Sequence, residues 1–128
     1  MDNVIAVLMI AMGVAIAGVW TRDILAGNKV DLSQGIFAAR DPDAATLFWP
    51  HWLAEYATAA ALIGAAIGLF LDANWAGALS GLATGALLYT STNSLAWALS
   101  QRDRLGYAVP MFVGIAISLF VAFYLMVR

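Results

Sequence analysis

Three long stretches without a charged side chain dominate the sequence. Leu105 to Val127 runs for 23 residues, Ala73 to Gln101 for 29 and Asn3 to Thr21 for 19. About 20 residues of α-helix cross the roughly 30 Å hydrocarbon core of a bilayer, and a soluble domain of 128 residues has little interior in which to hide three such runs. A fourth apolar segment, Pro50 to Leu71, is interrupted near its start by His51 and Glu55. The expectation is an all-α integral membrane protein, a single domain over residues 1–128. It would be an antiparallel four-helix bundle with helices at about 3–21, 50–71, 75–100 and 107–127.

Composition supports the same class. Hydrophobic residues make up 63% of the chain even without glycine, against roughly 45–50% with glycine in soluble domains. Charged residues make up 11%, against about 25% ordinarily. Six Lys and Arg against eight Asp and Glu, with no basic cluster, leave no electrostatic footprint for nucleic acid. With no cysteine and one histidine there is no disulfide framework, no thiolate nucleophile and no multi-histidine metal site. No metal and no cofactor is expected. Ala15-Ile16-Ala17 would suit a signal-peptide cleavage site, but Asp2 precedes the span without any Lys or Arg, so the first segment is expected to be retained.

The connections differ in kind. Asp72-Ala73-Asn74 is a tight turn that sets helices two and three side by side, and residues 101–106 join three to four. Residues 22–49 form a loop longer than ordinary connections. Gly27-Asn28 reads as a turn, and Leu32, Ile36 and Phe37 give a short interfacial helix. Asp41-Pro42-Asp43 carries the Asp N-cap and first-position Pro of a helix start, with a kink expected at Pro50. Arg22, Lys29, Arg40, Arg102 and Arg104 lie in the first and third loops, and only Arg128 lies opposite. By the positive-inside rule, loops 22–49 and 101–106 are expected to be cytoplasmic and both termini outside, in a bacterial inner membrane.

Four-residue ridges mark the middle helices. Trp52, Tyr56, Ala60, Gly64 and Gly68 share a face of helix two, and Gly77, Gly81, Gly85, Tyr89, Asn93 and Trp97 share one of helix three. Small residues at this spacing let membrane helices approach closely. If the two ridges face each other, the glycines pinch the pair at the tight turn, and the aromatic residues line a wedge at the long-loop end. The alternative is that Trp and Tyr form an interfacial belt. Gly13 with Ala17, and Gly114, Ser118 and Ala122, extend the small-residue pattern to helices one and four.

Polar groups gather at the same end. His51 and Glu55, four apart, share a face, and Tyr89-Thr90-Ser91-Thr92-Asn93-Ser94 reaches the same membrane half. A carboxyl in low dielectric is costly to ionise, so Glu55 must be protonated or partnered. His51, Asn93, Tyr89, Arg22 and Arg102 are the candidate partners. Such a group is either a polar site for a lipid-like or quinone-like molecule, or for proton transfer, or a structural clasp whose hydroxyls bond carbonyls one turn back.

Leu53-Ala54-Glu55, the small-residue helix that follows, the tight turn, and Gly81 through Leu88-Tyr89-Thr90 and Asn93-Ser94 resemble the DoxX-like small four-helix bacterial membrane proteins. That resemblance implies a four-helix bundle with an acidic residue early in helix two, here Glu55. His51 and Glu55 with Asn93 and Trp97 are also similar to the intramembrane pocket of emopamil-binding-type sterol isomerases. The chain departs from that pattern in lacking a second intramembrane acidic residue, which favours binding over isomerase chemistry.

Three functions follow as expectations. The first is a binder of a hydrophobic small molecule, with Glu55, His51 and Asn93 at its polar end and Trp52, Tyr56, Tyr89 and Trp97 around its apolar body. The second is an accessory subunit of a larger membrane complex, or a homo-oligomer. The third is a small proton-coupled transporter. An enzyme would have one acid/base pair, Glu55 with His51, suited to isomerase-type chemistry.

Overall fold

The computed structural model describes residues 1–27, 49–100, 105–106 and 108–127. They form four helices: α1 (Asp2–Gly27), α2 (Trp49–Phe70), α3 (Ala76–Ser100) and α4 (Ala108–Val127). The sequence placed all four, but α1 continues past Thr21 through Arg22 and Asp23. Pro50 occupies the first turn of α2, where its missing N–H costs nothing, and the helix runs through it. The expected interfacial helix and the Asp41-Pro42 helix start lie outside the described residues.

Three helices, α1, α2 and α4, are long and apolar enough to cross a membrane. Much of their apolar surface points outward: only 17% of the α4 span is buried inside the structure, while Phe112, Phe120 and Phe123 are exposed. Apolar surface on this scale calls for lipid or protein against it.

Local chemistry fixes each end. Asp2 in the first turn of α1 places a carboxylate where the helix dipole favours it. The α2–α3 turn closes as a Schellman motif, in which Ala73 N–H donates to the Gly68 carbonyl at 2.9 Å and Asp72 N–H to Leu69 at 3.3 Å. Asp72 takes the left-handed position, with φ 48°, where glycine is commoner but Asp is tolerated.

Helices pack α1 on α2, α2 on α3 and α3 on α4, with α1 and α4 touching over much less of their length. Contact pairs run in opposite chain order: Gly13 meets Ala59 and Ile63, and Thr21 meets Tyr56. Gly64 meets Leu79, and Gly68 meets Trp75 and Ala76. The core joins Ile5, Ala6 and Met9 of α1, Leu62, Ala65, Ala66 and Leu69 of α2, Ala76, Ala83 and Leu87 of α3 and Val121 of α4. Nearly half of this set is alanine, which keeps the backbones close. At Gly13 a Cβ would lie 2.9 Å from the Ala59 carbonyl oxygen, so here glycine is required by backbone approach.

The expected facing of two glycine ridges holds for one helix only. Gly68 is buried and Gly64 half-buried against α3, so the pinch at the turn exists. Gly77, Gly81 and Gly85 instead point away from the bundle, with nothing within 4 Å of the position a Cβ would take. The buried α3 residues are Ala76, Ser80, Ala83, Thr84, Leu87, Thr90, Ser91, Ser94 and Ala98, and Leu79 beside them meets Gly64. Spacing of four shows which residues share a face; the rotation of α3 leaving the turn decides where that face points.

Candidate functional site

Glu55 belongs to the inward face of α2, in register with Thr58, Ala59, Leu62, Ala65, Ala66 and Leu69, all buried. That register carries its carboxyl into the bundle, where the residue is 4% exposed. From α3, Ser94 donates its hydroxyl to Glu55 Oε1 at 3.4 Å, a long hydrogen bond. Thr90 and Ser91, one turn along, are buried on the same side, and Thr90 donates back to the Leu87 carbonyl at 3.3 Å.

The third wall comes from α1. Trp20 is 5% exposed, and Ile16, Trp52 and Tyr56 pack against it. The Tyr56 and Thr21 hydroxyls are hydrogen-bonded at 2.7 Å, tying α1 to α2 at the rim. Between these walls and α4 lies a cavity of about 80 Å³, lined by Met12, Ala15, Ile16, Val19 and Trp20, by Glu55, by Thr90 and Ser91, and by Pro110 and Met111. Water takes up about 30 Å³ per molecule in the liquid, so the space suits a small polar group rather than a whole ring system.

The structure brings some expected residues together and separates others. Glu55 lines the cavity, and Trp52 and Tyr56 stand beside it through Trp20. Tyr89 is 71% exposed and Asn93 is exposed, both on the outward face of α3. They are not partners of Glu55; Ser94 is. His51 and Trp97 lie within α2 and α3, and their side chains fall outside the described residues. Arg22 is exposed, and Arg102 lies outside the described residues.

Trp20 and Met111 were not singled out by the sequence, and Ser91 and Ser94 were seen only as part of a polar run. Met12, Ile16 and Trp20 are four apart and would have marked one α1 face. Nothing in the local pattern says which of Asn93 and Ser94 points inward. Among the described residues, the aromatic side chains that pack together beside the cavity are Trp20 of α1 and Trp52 and Tyr56 of α2.

The opposite end carries an open cleft of about 540 Å³ lined by Asp2, Leu69, Asp72, Ala73, Asn74, Ala76, Gly77 and Leu125. The Tyr124 hydroxyl donates to the Asp2 carboxylate there, fastening α4 to the start of α1. Among the described residues no group of three or more His, Cys, Asp or Glu is placed to hold a metal.

A family model described as a domain of unknown function (DUF8058) matches residues 1–128. No curated protein and no solved structure matches the chain.

Proposed function

The chain belongs to the DUF8058 family, and we propose that it binds a lipid-like small molecule within the membrane, seating its small polar end in the Glu55 cavity. In this reading all four helices cross the bilayer as an antiparallel bundle, supported by the opposed order of the contact pairs. The connections from α1 to α2 and from α3 to α4 face the cytoplasm, both termini lie outside, and the cavity sits in the cytoplasmic half of a bacterial inner membrane.

One observation carries the reading: a carboxyl, 4% exposed, lines a space to which side chains from all four helices contribute. An acidic group well inside a membrane helix costs up to about 3 kcal/mol, and a purely structural clasp would need no cavity beside it. Ser91, Thr90 and Trp20 supply the mixed polar and apolar wall that such pockets have. The DoxX-like resemblance, with its acidic residue early in helix two, points to the same residue. The test is the thermal stability of purified protein with and without a total lipid extract. Wild type is expected to be stabilised, by about 2.7 kcal/mol at a hundred times Kd, and Glu55→Gln is expected to lose most of that shift. No shift in wild type, or an equal shift in Glu55→Gln, defeats the proposal.

A homo-oligomer is favoured by a separate observation. Gly77, Gly81 and Gly85 present backbone to the outside with open space over each, and Asn93 continues the same outward ridge. Outward glycines and an amide suit a neighbouring helix better than lipid. Gly81→Leu is expected to convert an oligomer in mild detergent into monomer, measured by light scattering; a wild type that is already monomeric defeats this reading.

A further inference from the structure

Most buried hydroxyls in this bundle have an acceptor for their proton. Thr58 donates to the Ala54 carbonyl, Thr84 to Ser80 and Ser118 to Gly114, each one turn back. Thr90 donates to the Leu87 carbonyl and Ser94 to Glu55. Ser80 and Ser91 are the exceptions: both are buried, and neither hydroxyl bonds another of the described residues. What lies beside them differs. Ser80 is fully buried and lines neither the Glu55 cavity nor the cleft at the opposite end. Ser91 is 5% exposed and lines the Glu55 cavity, to which α4 contributes Pro110 and Met111 across the α1–α4 seam.

Two neighbours explain why Ser91 keeps its proton. A helical serine ordinarily bonds the carbonyl four residues back, here Leu87, and Thr90 already donates to that oxygen. On the other side, Gly114 of α4 leaves room for the hydroxyl. A Cβ at Gly114 would collide with Ser91 Oγ and lie 3.6 Å from Met12 Cε, so Ser91, Gly114 and Met12 meet at one level of the bundle. Glu55 is bonded at the level of Ser94, three residues or about 4.5 Å further along α3. The cavity therefore has two polar points on different levels, Glu55 toward the end of α3 and Ser91 deeper in the bundle. A buried hydroxyl without an acceptor carries its desolvation cost uncompensated, and this one faces a space that can admit an acceptor. The need for an acceptor comes from Ser91 alone and is the same for an ionised or a protonated Glu55.

We infer that Ser91 grips the tip of the ligand's polar end by donating its hydroxyl proton to an oxygen there, and that Gly114 is the positioning residue that keeps this hydroxyl at the cavity wall. The ligand is then a lipid-like molecule whose head is small enough for a space of about 80 Å³ and carries an acceptor oxygen at its tip. This rests on the binding proposal and adds to it a second contact, one level deeper than Glu55.

The experiment titrates the full chain in detergent micelles with 2-hexadecanone, whose carbonyl accepts a hydrogen bond and donates none, with hexadecane as the oxygen-free control and thermal stability as the readout. Wild type is expected to be stabilised by the ketone and not by the alkane. Ser91→Ala removes one oxygen and adds nothing, so it is expected to fold as wild type does. It should need about tenfold more ketone for the same shift, the loss of one hydrogen bond. Gly114→Ala is expected to lower stability without ligand and to weaken the response to the ketone. Adding Ser91→Ala to it should restore stability, because the colliding oxygen is gone, and leave the ketone response at the level of Ser91→Ala alone. If Gly114→Ala does not fold, the double variant and Ser91→Ala carry the test, and a double variant that does not recover overturns the role of Gly114. An equal ketone response in wild type and Ser91→Ala overturns the inference, as does an equal response of wild type to ketone and alkane. If a total lipid extract stabilises wild type but the ketone does not, or if Glu55→Gln loses the extract shift and Ser91→Ala keeps all of it, this inference falls and the binding proposal stands. If neither extract nor ketone has any effect, both fall.

Discussion

The two faces of α3 use similar small residues for opposite ends. Inward, Ser80, Thr84, Ser91 and Ser94 are buried against the other helices alongside Ala76, Ala83 and Leu87. Outward, Gly77, Gly81 and Gly85 have open space above them, and Tyr89 and Asn93 are exposed. The difference shows that in this bundle close approach inside α3 is achieved by Ala and Ser. A hydroxyl can enter a tight interface when it bonds a carbonyl one turn back, as Thr84 does to Ser80 at 2.5 Å and Ser118 to Gly114 at 2.8 Å. Glycine is needed where a neighbouring helix leaves no room for a Cβ, at Gly13 against the Ala59 carbonyl, at Gly68 against the Trp75 ring and at Gly114 against the Ser91 hydroxyl.

The sharpest way to break that comparison is to add one methyl group on each side of it. At Gly13 the new Cβ would meet the Ala59 carbonyl oxygen at 2.9 Å and Ile63 Cγ1 at 2.8 Å, and a carbonyl in α2 moves only if the helix does. Gly13→Ala is expected to cost about 1–3 kcal/mol, the usual range for overpacking. Gly81→Ala meets nothing within 4 Å and gains helix propensity, so stability should hold or rise by up to about 1 kcal/mol. Reversible unfolding in detergent measures both. Equal losses at the two positions would mean that α3 is rotated from its described orientation.

Neighbouring polar residues give the next contrast. Ser94 donates to a buried carboxyl group, whereas Asn93, one residue earlier, is exposed. Ser94→Ala is expected to lose about 1 kcal/mol, in the range of hydrogen bonds between membrane helices. Asn93→Ala should leave the stability of the monomer unchanged. The reverse result would restore Asn93 as the partner of Glu55 that the sequence suggested.

These pairs also mark how far the sequence could be read. Helix number and approximate bounds were legible because charge-free runs of 19 to 29 residues admit few other structures in a bilayer. Glu55 stood out because a carboxyl in an apolar helix is rare enough to demand a reason. The rotation of α3 was not legible. Its composition is small or weakly polar all round, so no strongly apolar stripe shows which side turns inward, and both Asn93 and Ser94 satisfied the spacing. Trp20 was missed for a different reason: at the end of an uncharged span it reads as an interfacial aromatic, and only the packing of α1 on α2 carries it inward. Met111 and Pro110 lie across the seam from α1, more than 90 residues away in the chain, where local patterns carry no information.

The smallest effect lies within the inward face itself. Ser80 is fully buried, and among the described residues its hydroxyl oxygen has no hydrogen-bond partner. Its backbone carbonyl does have one, the Thr84 hydroxyl, so the side chain of Ser80 contributes volume to the interface without contributing a bond. An unpaired buried hydroxyl carries its desolvation cost uncompensated, and Ala fits the same backbone spacing while keeping the Cβ contact. Ser80→Ala is therefore expected to raise stability by about 0.5 kcal/mol, the opposite sign from Ser94→Ala on the same helix face. A loss on Ser80→Ala would show that the hydroxyl is satisfied in the bilayer, for example by an ordered water. The inward face of α3 would then be a continuous polar track from the tight turn to Glu55, not a packing surface with one functional end.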